Sequence, residues 1–92
     1  MRPLFIRHTG DRRIFIRFAD GLGTELDFTG YFEARPGPVT EPLLNEDAFT
    51  QAFLDHGVLT WPTGYDIDAD VLRLWCERGR ILPEAEMQAA FA

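Results

Sequence analysis

The chain has 92 residues, of which 46% are apolar and 26% charged, and its net charge is −6, a composition typical of a folded globular protein. A chain of this length buries roughly 60 to 65% of the surface that its unfolded form exposes, so we expect one domain without a second core. Serine and lysine are absent, which excludes enzymes that use a serine nucleophile or a lysine Schiff base. The single cysteine, Cys76, and the absence of a signal peptide or a long apolar run predict a cytoplasmic protein that does not bind membranes.

Charge is distributed unevenly along the chain. Residues 1–19 contain five arginines and one aspartate, a net +4, whereas residues 20–92 carry −10. The overall acidity argues against direct binding of nucleic acid. The arginines are interpreted as the solvated face of a strand, or alternatively as a patch that recognises an acidic partner, including a second copy of this chain.

The first third of the chain predicts a β-hairpin. Residues 3–8 and 12–21 are rich in β-branched and aromatic side chains, and an Asp20–Gly21 turn leads into a second alternating run. The side chains expected to face inward are Ile14, Ile16, Phe18, Thr24, Leu26 and Phe28. On the other face, Arg13 and Arg17 could pair with Glu25 and Asp27 across the strands.

Residues 31–43 contain three prolines, which predicts a surface loop. Asn45 then has the character of an N-cap, and apolar residues recur at helical spacing up to Phe53, so the sequence predicts a short amphipathic helix that ends at Gly57. His56 is placed in the last turn of that helix, where its positive charge suits the carbonyl end.

The predicted strand at residues 58–61 ends at Trp61, because Pro62 removes a backbone donor and keeps the preceding residue extended. A Thr63–Gly64 turn follows. The next helix has Asp68 or Asp70 as its N-cap, runs to about Arg78 and stops at Gly79. One further short helix, at about residues 83–91, is expected to pack back through Leu82, Met87 and Phe91.

Metal binding is a competing interpretation of the aspartates. Asp66, Asp68, Asp70 and Glu77 match positions 1, 3, 5 and 12 of a calcium loop of the EF-hand type. Position 6 is Val71 instead of glycine, and no helix precedes the loop, so helix capping and solvation are favoured over a metal site.

The sequence shows no catalytic set and no cofactor motif. Cys76 could form a thiolate pair with His8 or His56, but a small buried side chain is the usual meaning of a cysteine inside a helix. Two histidines and one cysteine fall short of structural zinc, and the third glycine of a dinucleotide motif is absent. An enzyme is therefore the less favoured hypothesis, and no cofactor is expected.

The order of these elements resembles the bacterial family called domain of unknown function 2442 over about residues 5–78. The family's signature corresponds here to Trp61, Pro62, Thr63, Gly64, Asp66, Ile67 and Leu72. Thr63 stands where the family usually has asparagine, and Ala69 where it has proline. The resemblance implies a toxin–antitoxin-like gene pair with another small protein. Some members carry a C-terminal helix-turn-helix domain, which the single predicted helix after Gly79 cannot form.

These elements together predict an α+β fold, with an antiparallel hairpin or meander sheet and two to three short helices, in one domain over residues 1–92. The leading functional hypothesis is a small interaction module that binds a small protein partner or forms a homo-oligomer. Its partner surface is placed at Tyr31, Trp61, Pro62, Gly64, Tyr65 and Asp66, because loops held by proline present contacts at low entropic cost. Core positions for Trp61 and Trp75 are the competing interpretation. The rival function is a ligand-binding or metal-binding domain that uses Asp66, Asp68 and Asp70.

Overall fold

The computed structural model describes the backbone of residues 1–91 and the side chains of residues 1–90. It confirms the α+β class, with two three-stranded antiparallel sheets and short helices around one core. The elements are β1 (Pro3–Gly10), β2 (Arg13–Phe18), β3 (Gly23–Asp27), a 3-10 helix (Glu41–Leu44), α1 (Glu46–Phe49), β4 (Phe53–Asp55), β5 (Val58–Thr60), β6 (Asp66–Ile67), α2 (Ala69–Arg78) and α3 (Glu84–Phe91).

The predicted hairpin is present and forms part of the first sheet, in which β2 pairs with both β1 and β3. Gly21 has a φ of 96°, and the backbone N–H of Leu22 donates to the Asp20 carboxylate (3.3 Å), so this turn depends on the residues from which it was predicted. The side chains of Ile14, Ile16, Phe18 and Leu26 face inward and are buried. Burying each large apolar side chain contributes about 1.5–3 kcal/mol, which fixes the register of the sheet.

The helix predicted after Asn45 is shorter than expected. Asn45 is the N-cap and accepts a hydrogen bond from the Ala48 backbone (3.2 Å), but α1 ends at Phe49. The predicted continuation to Gly57 is wrong, because Phe53–Asp55 forms β4 and pairs with β5. The physical reason is the turn at His56 and Gly57, whose φ values of 51° and 81° match a tight hairpin.

Two residues assigned to that helix therefore have surroundings other than those predicted. Phe53 belongs to a strand and is 43% exposed, so it does not extend an apolar helix face. His56 lies in the hairpin turn, where its Nδ1 is 2.8 Å from the Asp55 carboxylate. Its predicted position at a helix C-terminus is wrong for the same reason.

The proline-rich segment is only partly a surface loop. Pro36, Pro38 and Pro42 are exposed, as expected for prolines in a connection. The segment also begins at the buried Tyr31 and ends in the 3-10 helix, whose Leu43 is fully buried. The prediction missed this helix because Pro42 is tolerated in its first turn, where no backbone N–H is needed.

The helix predicted after the Trp–Pro turn is confirmed as α2. Asp68 is its N-cap and accepts hydrogen bonds from the backbone N–H groups of Asp70 (2.8 Å) and Val71 (3.4 Å). Gly79 ends the helix in the left-handed conformation, with a φ of 76°. Local signals at both ends therefore defined this element correctly.

The predicted C-terminal helix is present as α3. Leu82, just before it, is buried, and the Trp75 indole N–H lies 3.1 Å from the sulfur of Met87. The predicted contacts of Leu82 and Met87 are thus found. The packing predicted for Phe91 concerns a side chain outside the described part of the chain.

An ion pair joins α2 to the first hairpin. Arg73 donates to both carboxylate oxygens of Asp20, at 2.9 and 2.7 Å, and its guanidinium lies 4.9 Å from the centre of the Phe18 ring. This hydrogen bonding lowers the pKa of Asp20 from 3.8 to about 2. The Asp20 carboxylate therefore stays ionised in mild acid, and the ion pair continues to join the two elements.

The Asp20–Arg73 pair makes stability depend on pH. The pKa of Asp20 is lower in the folded chain, so the stabilisation is complete above the ordinary pKa of 3.8 and is lost as the pH falls to about 2. The melting temperature of the wild type should exceed that of Asp20→Asn near neutral pH, and the difference should vanish in strong acid. A difference that does not change with pH would show that the ion pair does not contribute.

Candidate functional site

The structure separates the residues predicted to bind a partner into core and surface positions. Trp61 is fully buried, and its indole N–H donates to the Phe49 carbonyl (2.9 Å). Its ring cannot contact a partner in this conformation, and the competing interpretation as a core residue describes it correctly. Pro62 and Gly64 are exposed in a turn closed by a hydrogen bond from the Gly64 N–H to the Trp61 carbonyl (2.9 Å).

The Trp–Pro turn is attached to the proline-rich segment through Thr63. The Thr63 hydroxyl donates to the Val39 carbonyl (2.7 Å). Threonine thus supplies a hydroxyl contact at the position where the resemblance leads one to expect asparagine. A side-chain hydrogen bond consequently holds the turn next to the proline-rich segment.

Two tyrosines from these segments meet next to the turn. The hydroxyls of Tyr31 and Tyr65 are 2.8 Å apart, and their rings lie edge to face with centroids 6.3 Å apart. Tyr31 is only 7% exposed, and burial together with the hydrogen bond to Tyr65 raises its pKa. Both rings are therefore held in place, and the Tyr31 hydroxyl stays neutral at physiological pH.

Arg35 covers the other side of Tyr31. Its guanidinium carbon is 3.8 Å from the centre of the Tyr31 ring, and it donates to the Tyr31 carbonyl (3.1 Å). Within the described residues Arg35 forms no ion pair with a carboxylate. The arginine is thus fixed mainly by stacking on an aromatic ring.

A groove of about 410 Å³ opens beside the tyrosine pair. We call it the tyrosine groove; its lining includes Tyr31, Arg35, Tyr65, Asp66, Ile67, Asp68, Val71, Trp75, Glu84 and Met87. A second cleft, of about 340 Å³, shares Tyr31 and Arg35 with it and extends towards Pro83. Of the predicted contact residues, Tyr31, Tyr65 and Asp66 are brought together here, whereas Arg35, Glu84 and Met87 were missed because they come from distant segments.

The three aspartates of the metal hypothesis have separate contacts. Asp68 caps α2, Asp70 lies 3.8 Å from the N-terminal amine, and Asp66 is exposed in β6 beside the groove. Glu77 accepts a hydrogen bond from Arg73 (2.8 Å). Among the described residues, no group of three or more His, Cys, Asp or Glu side chains is placed to hold a metal ion.

No hydrogen bond joins the candidate thiol of Cys76 to His8 or His56 within the described residues. Cys76 is buried in α2, and burial raises the pKa of its thiol to about 11, so it remains protonated at neutral pH. His8 contacts the Asp11 carbonyl (2.8 Å) and the Phe49 ring instead. What this region offers chemically is packing and hydrogen bonding, with no activated nucleophile among the groove residues.

Comparison with known proteins supports the resemblance seen in the sequence. The model of the family described as protein of unknown function (DUF2442) matches residues 6–78. No curated protein and no solved structure matches the chain. No helix in the described part is both long and apolar enough to cross a membrane. The match spans most of the first sheet, the Trp–Pro turn and α2, and on that basis the chain belongs to the domain of unknown function 2442 family.

Proposed function

We propose that this chain is a small cytoplasmic protein-interaction module and one component of a bacterial two-protein system of the toxin–antitoxin type. In this proposal a segment of the partner protein binds in the tyrosine groove. The observation that carries the proposal is the groove itself, in which two hydrogen-bonded tyrosines lie beside the exposed carboxylates of Asp66 and Glu84. Rigid aromatic surfaces beside polar groups are typical of interface centres.

The groove is suited to binding because its walls are already ordered. The Tyr65 ring packs against Trp61 and Phe32, with centroids 6.0 and 5.6 Å away, and its hydroxyl is held by Tyr31. The two tyrosine side chains would therefore lose little rotamer freedom when a partner binds. Preorganisation of this kind favours affinity by reducing the entropic cost of association.

Charge indicates the chemistry of the partner. Asp66 and Glu84 are exposed beside the groove and form no ion pair with any described residue. The charged side chains of the groove lining are three acids, Asp66, Asp68 and Glu84, against one base, Arg35, so the groove is acidic. We therefore propose that the partner segment presents an apolar side chain next to a lysine or arginine.

Affinity capture from the native host with four tagged baits tests this proposal. The wild type and Phe53→Ala, which removes an exposed aromatic outside the groove, should retain the same small protein in equal amount. Tyr65→Ala and Asp66→Ala should lose it. Asp66 is exposed and outside the core, so its variant should keep the wild-type melting temperature even if Tyr65→Ala is destabilised.

Equal retention by all four baits would contradict binding in the groove. An empty wild-type bait, together with a rise in melting temperature in millimolar calcium or magnesium, would favour the rival ligand-binding or metal-binding function instead. A ligand that binds the native state must raise the midpoint by mass action, so this measurement separates the two hypotheses.

A further inference from the structure

Three of the five arginines in residues 1–19 are engaged with other parts of the chain. Arg2 and Arg12 donate hydrogen bonds to backbone carbonyls. Arg13 lies 3.3 Å from the Glu25 carboxylate, which confirms the pairing predicted across the strands. The other two arginines form no ion pair with any described residue, so their positive charges are not neutralised within this part of the chain.

These two arginines, Arg7 and Arg17, lie together on the solvent-facing side of the first sheet. Side chains alternate between the two faces of a strand, so both point away from the core, and both residues are exposed. Their guanidinium carbons are 6.0 and 5.2 Å from the centre of one ring, that of Phe15. Arg17 donates one long hydrogen bond, to the Gly21 carbonyl (3.4 Å). Its predicted pairing with an acid on β3 does not occur, because it lies opposite Gly23.

Phe5 adds an exposed aromatic ring to this cluster. It is 45% exposed, lies opposite Arg17 in the pairing of β1 with β2, and meets Phe15 edge to face, with ring centroids 6.4 Å apart. Arg7 lies opposite Phe15, so arginine and phenylalanine alternate over the four positions. We call Phe5, Arg7, Phe15 and Arg17 the arginine–phenylalanine patch. Arginine and aromatic side chains are the types enriched where proteins bind one another.

The spacing of the two guanidinium groups fits an extended chain. Arg7 and Arg17 are diagonal neighbours on adjacent strands, a relation that separates two residues by about 7–8 Å. In an extended segment, side chains two residues apart point the same way and are about 6.4–6.8 Å apart. A guanidinium that lies over a ring keeps N–H groups at its edge for a carboxylate. One extended segment can therefore offer a carboxylate to each arginine.

We propose that the arginine–phenylalanine patch binds an extended acidic segment of a partner protein. Two carboxylates, two residues apart in that segment, pair with Arg7 and Arg17, and a neighbouring apolar side chain packs on Phe5. Charge complementarity is the basis of this assignment, because the patch holds two unpaired cations and no acid. The surface is separate from the tyrosine groove, which is acidic and whose lining contains none of these residues.

The distribution of acids argues against a nucleic acid or an anionic membrane as the occupant. Glu25 and Asp27 lie on β3, on the same face of the sheet as the patch. Residues 20–92 carry a net −10. A ligand with a long row of phosphates would extend past the two arginines and meet these acids. A segment with two carboxylates matches the two free cations without reaching further.

Titration of a synthetic peptide into the isotope-labelled full chain, followed by nuclear magnetic resonance, tests this proposal. The blocked eight-residue peptide carries glutamate at its third and fifth positions, leucine at its seventh and threonine elsewhere. In the control peptide both glutamates are replaced by glutamine. The glutamate peptide should shift backbone amides of β1 and β2. The glutamine peptide should bind at least about threefold more weakly, because it loses two exposed charge pairs.

A double variant identifies the arginines that are responsible. Arg7→Gln/Arg17→Gln should bind the glutamate peptide as weakly as the wild type binds the glutamine peptide. Both residues are exposed, so the variant is expected to fold, which thermal melting will verify. Arg35→Gln is the matched control, because Arg35 also lies over an aromatic ring without an ion pair but belongs to the tyrosine groove, and it should bind as the wild type does.

The comparison of the two peptides uses the wild type alone and does not depend on any variant. Equal binding of both peptides, or no saturable shift on β1 and β2 with the glutamate peptide at millimolar concentration, would overturn the proposal. Tighter binding of an eight-nucleotide oligothymidylate, or of phosphatidylserine vesicles, through Arg7 and Arg17 would also overturn it and would assign the patch to a phosphate-bearing ligand.

Discussion

Replacing Trp61 by alanine is expected to lower the free energy of unfolding by about 3–5 kcal/mol. Trp61 is fully buried, and its ring contacts Phe28, Phe32 and Phe49 at centroid distances of 6.0, 5.4 and 5.8 Å. The substitution leaves a large cavity and removes the donor to the Phe49 carbonyl. For a small domain such a loss approaches the whole stability, so much of the variant should be unfolded at 37 °C.

Urea unfolding followed by circular dichroism measures this loss. Phe53→Ala is the matched control, because it removes an aromatic side chain that is 43% exposed and should have a much smaller effect. Trp61→Phe should give an intermediate loss, since it keeps an aromatic ring but leaves the Phe49 carbonyl without its donor. Equal effects of Trp61→Ala and Phe53→Ala would contradict a core position for Trp61.

Leu82→Ala is expected to lower the free energy of unfolding by about 2–5 kcal/mol. Leu82 lies beyond the region matched by the family model, yet only 1% of its surface is exposed. We propose on this basis that residues 79–92 belong to the same folding unit as the rest of the chain. A single cooperative transition with a lower midpoint is therefore expected in the variant.

Leu44→Ala provides the control for Leu82→Ala, because it deletes the same atoms from a side chain that is 40% exposed. Its effect on the urea midpoint should be several times smaller. If the two variants have the same stability as the wild type, the segment after Gly79 is an appendage, and the proposal of one domain through its last helix is wrong.

Sequence signals predicted the elements whose stability depends on neighbouring residues. The Asp20–Gly21 turn between alternating strands, and the Asp68 cap and Gly79 stop of α2, are all local features. The helix predicted after Phe49 was wrong because its apolar spacing fits a helix and Gly57 was interpreted as the end of that helix, whereas His56 and Gly57 form the tight turn that pairs β4 with β5. Pairing in this hairpin outweighed helical spacing.

The residues of the candidate site were also predicted only in part. Tyr65 and Asp66 were found because they follow the Trp–Pro turn, but Arg35 and Glu84 reach the groove only through the tertiary fold. The buried position of Trp61 did have a signal in the sequence. Strand alternation places it on the same side as Leu59, and both side chains are fully buried.

The central claim, that a partner segment binds in the tyrosine groove, is tested most directly by nuclear magnetic resonance. The captured partner is titrated into the isotope-labelled chain, and backbone amide shifts are followed residue by residue. The largest shifts should lie at Tyr31, Arg35, Tyr65, Asp66 and Glu84. Residues of β1 and β2 should change little. Shifts confined to β1, β2 and β3, or no saturable shifts at all, would contradict the account.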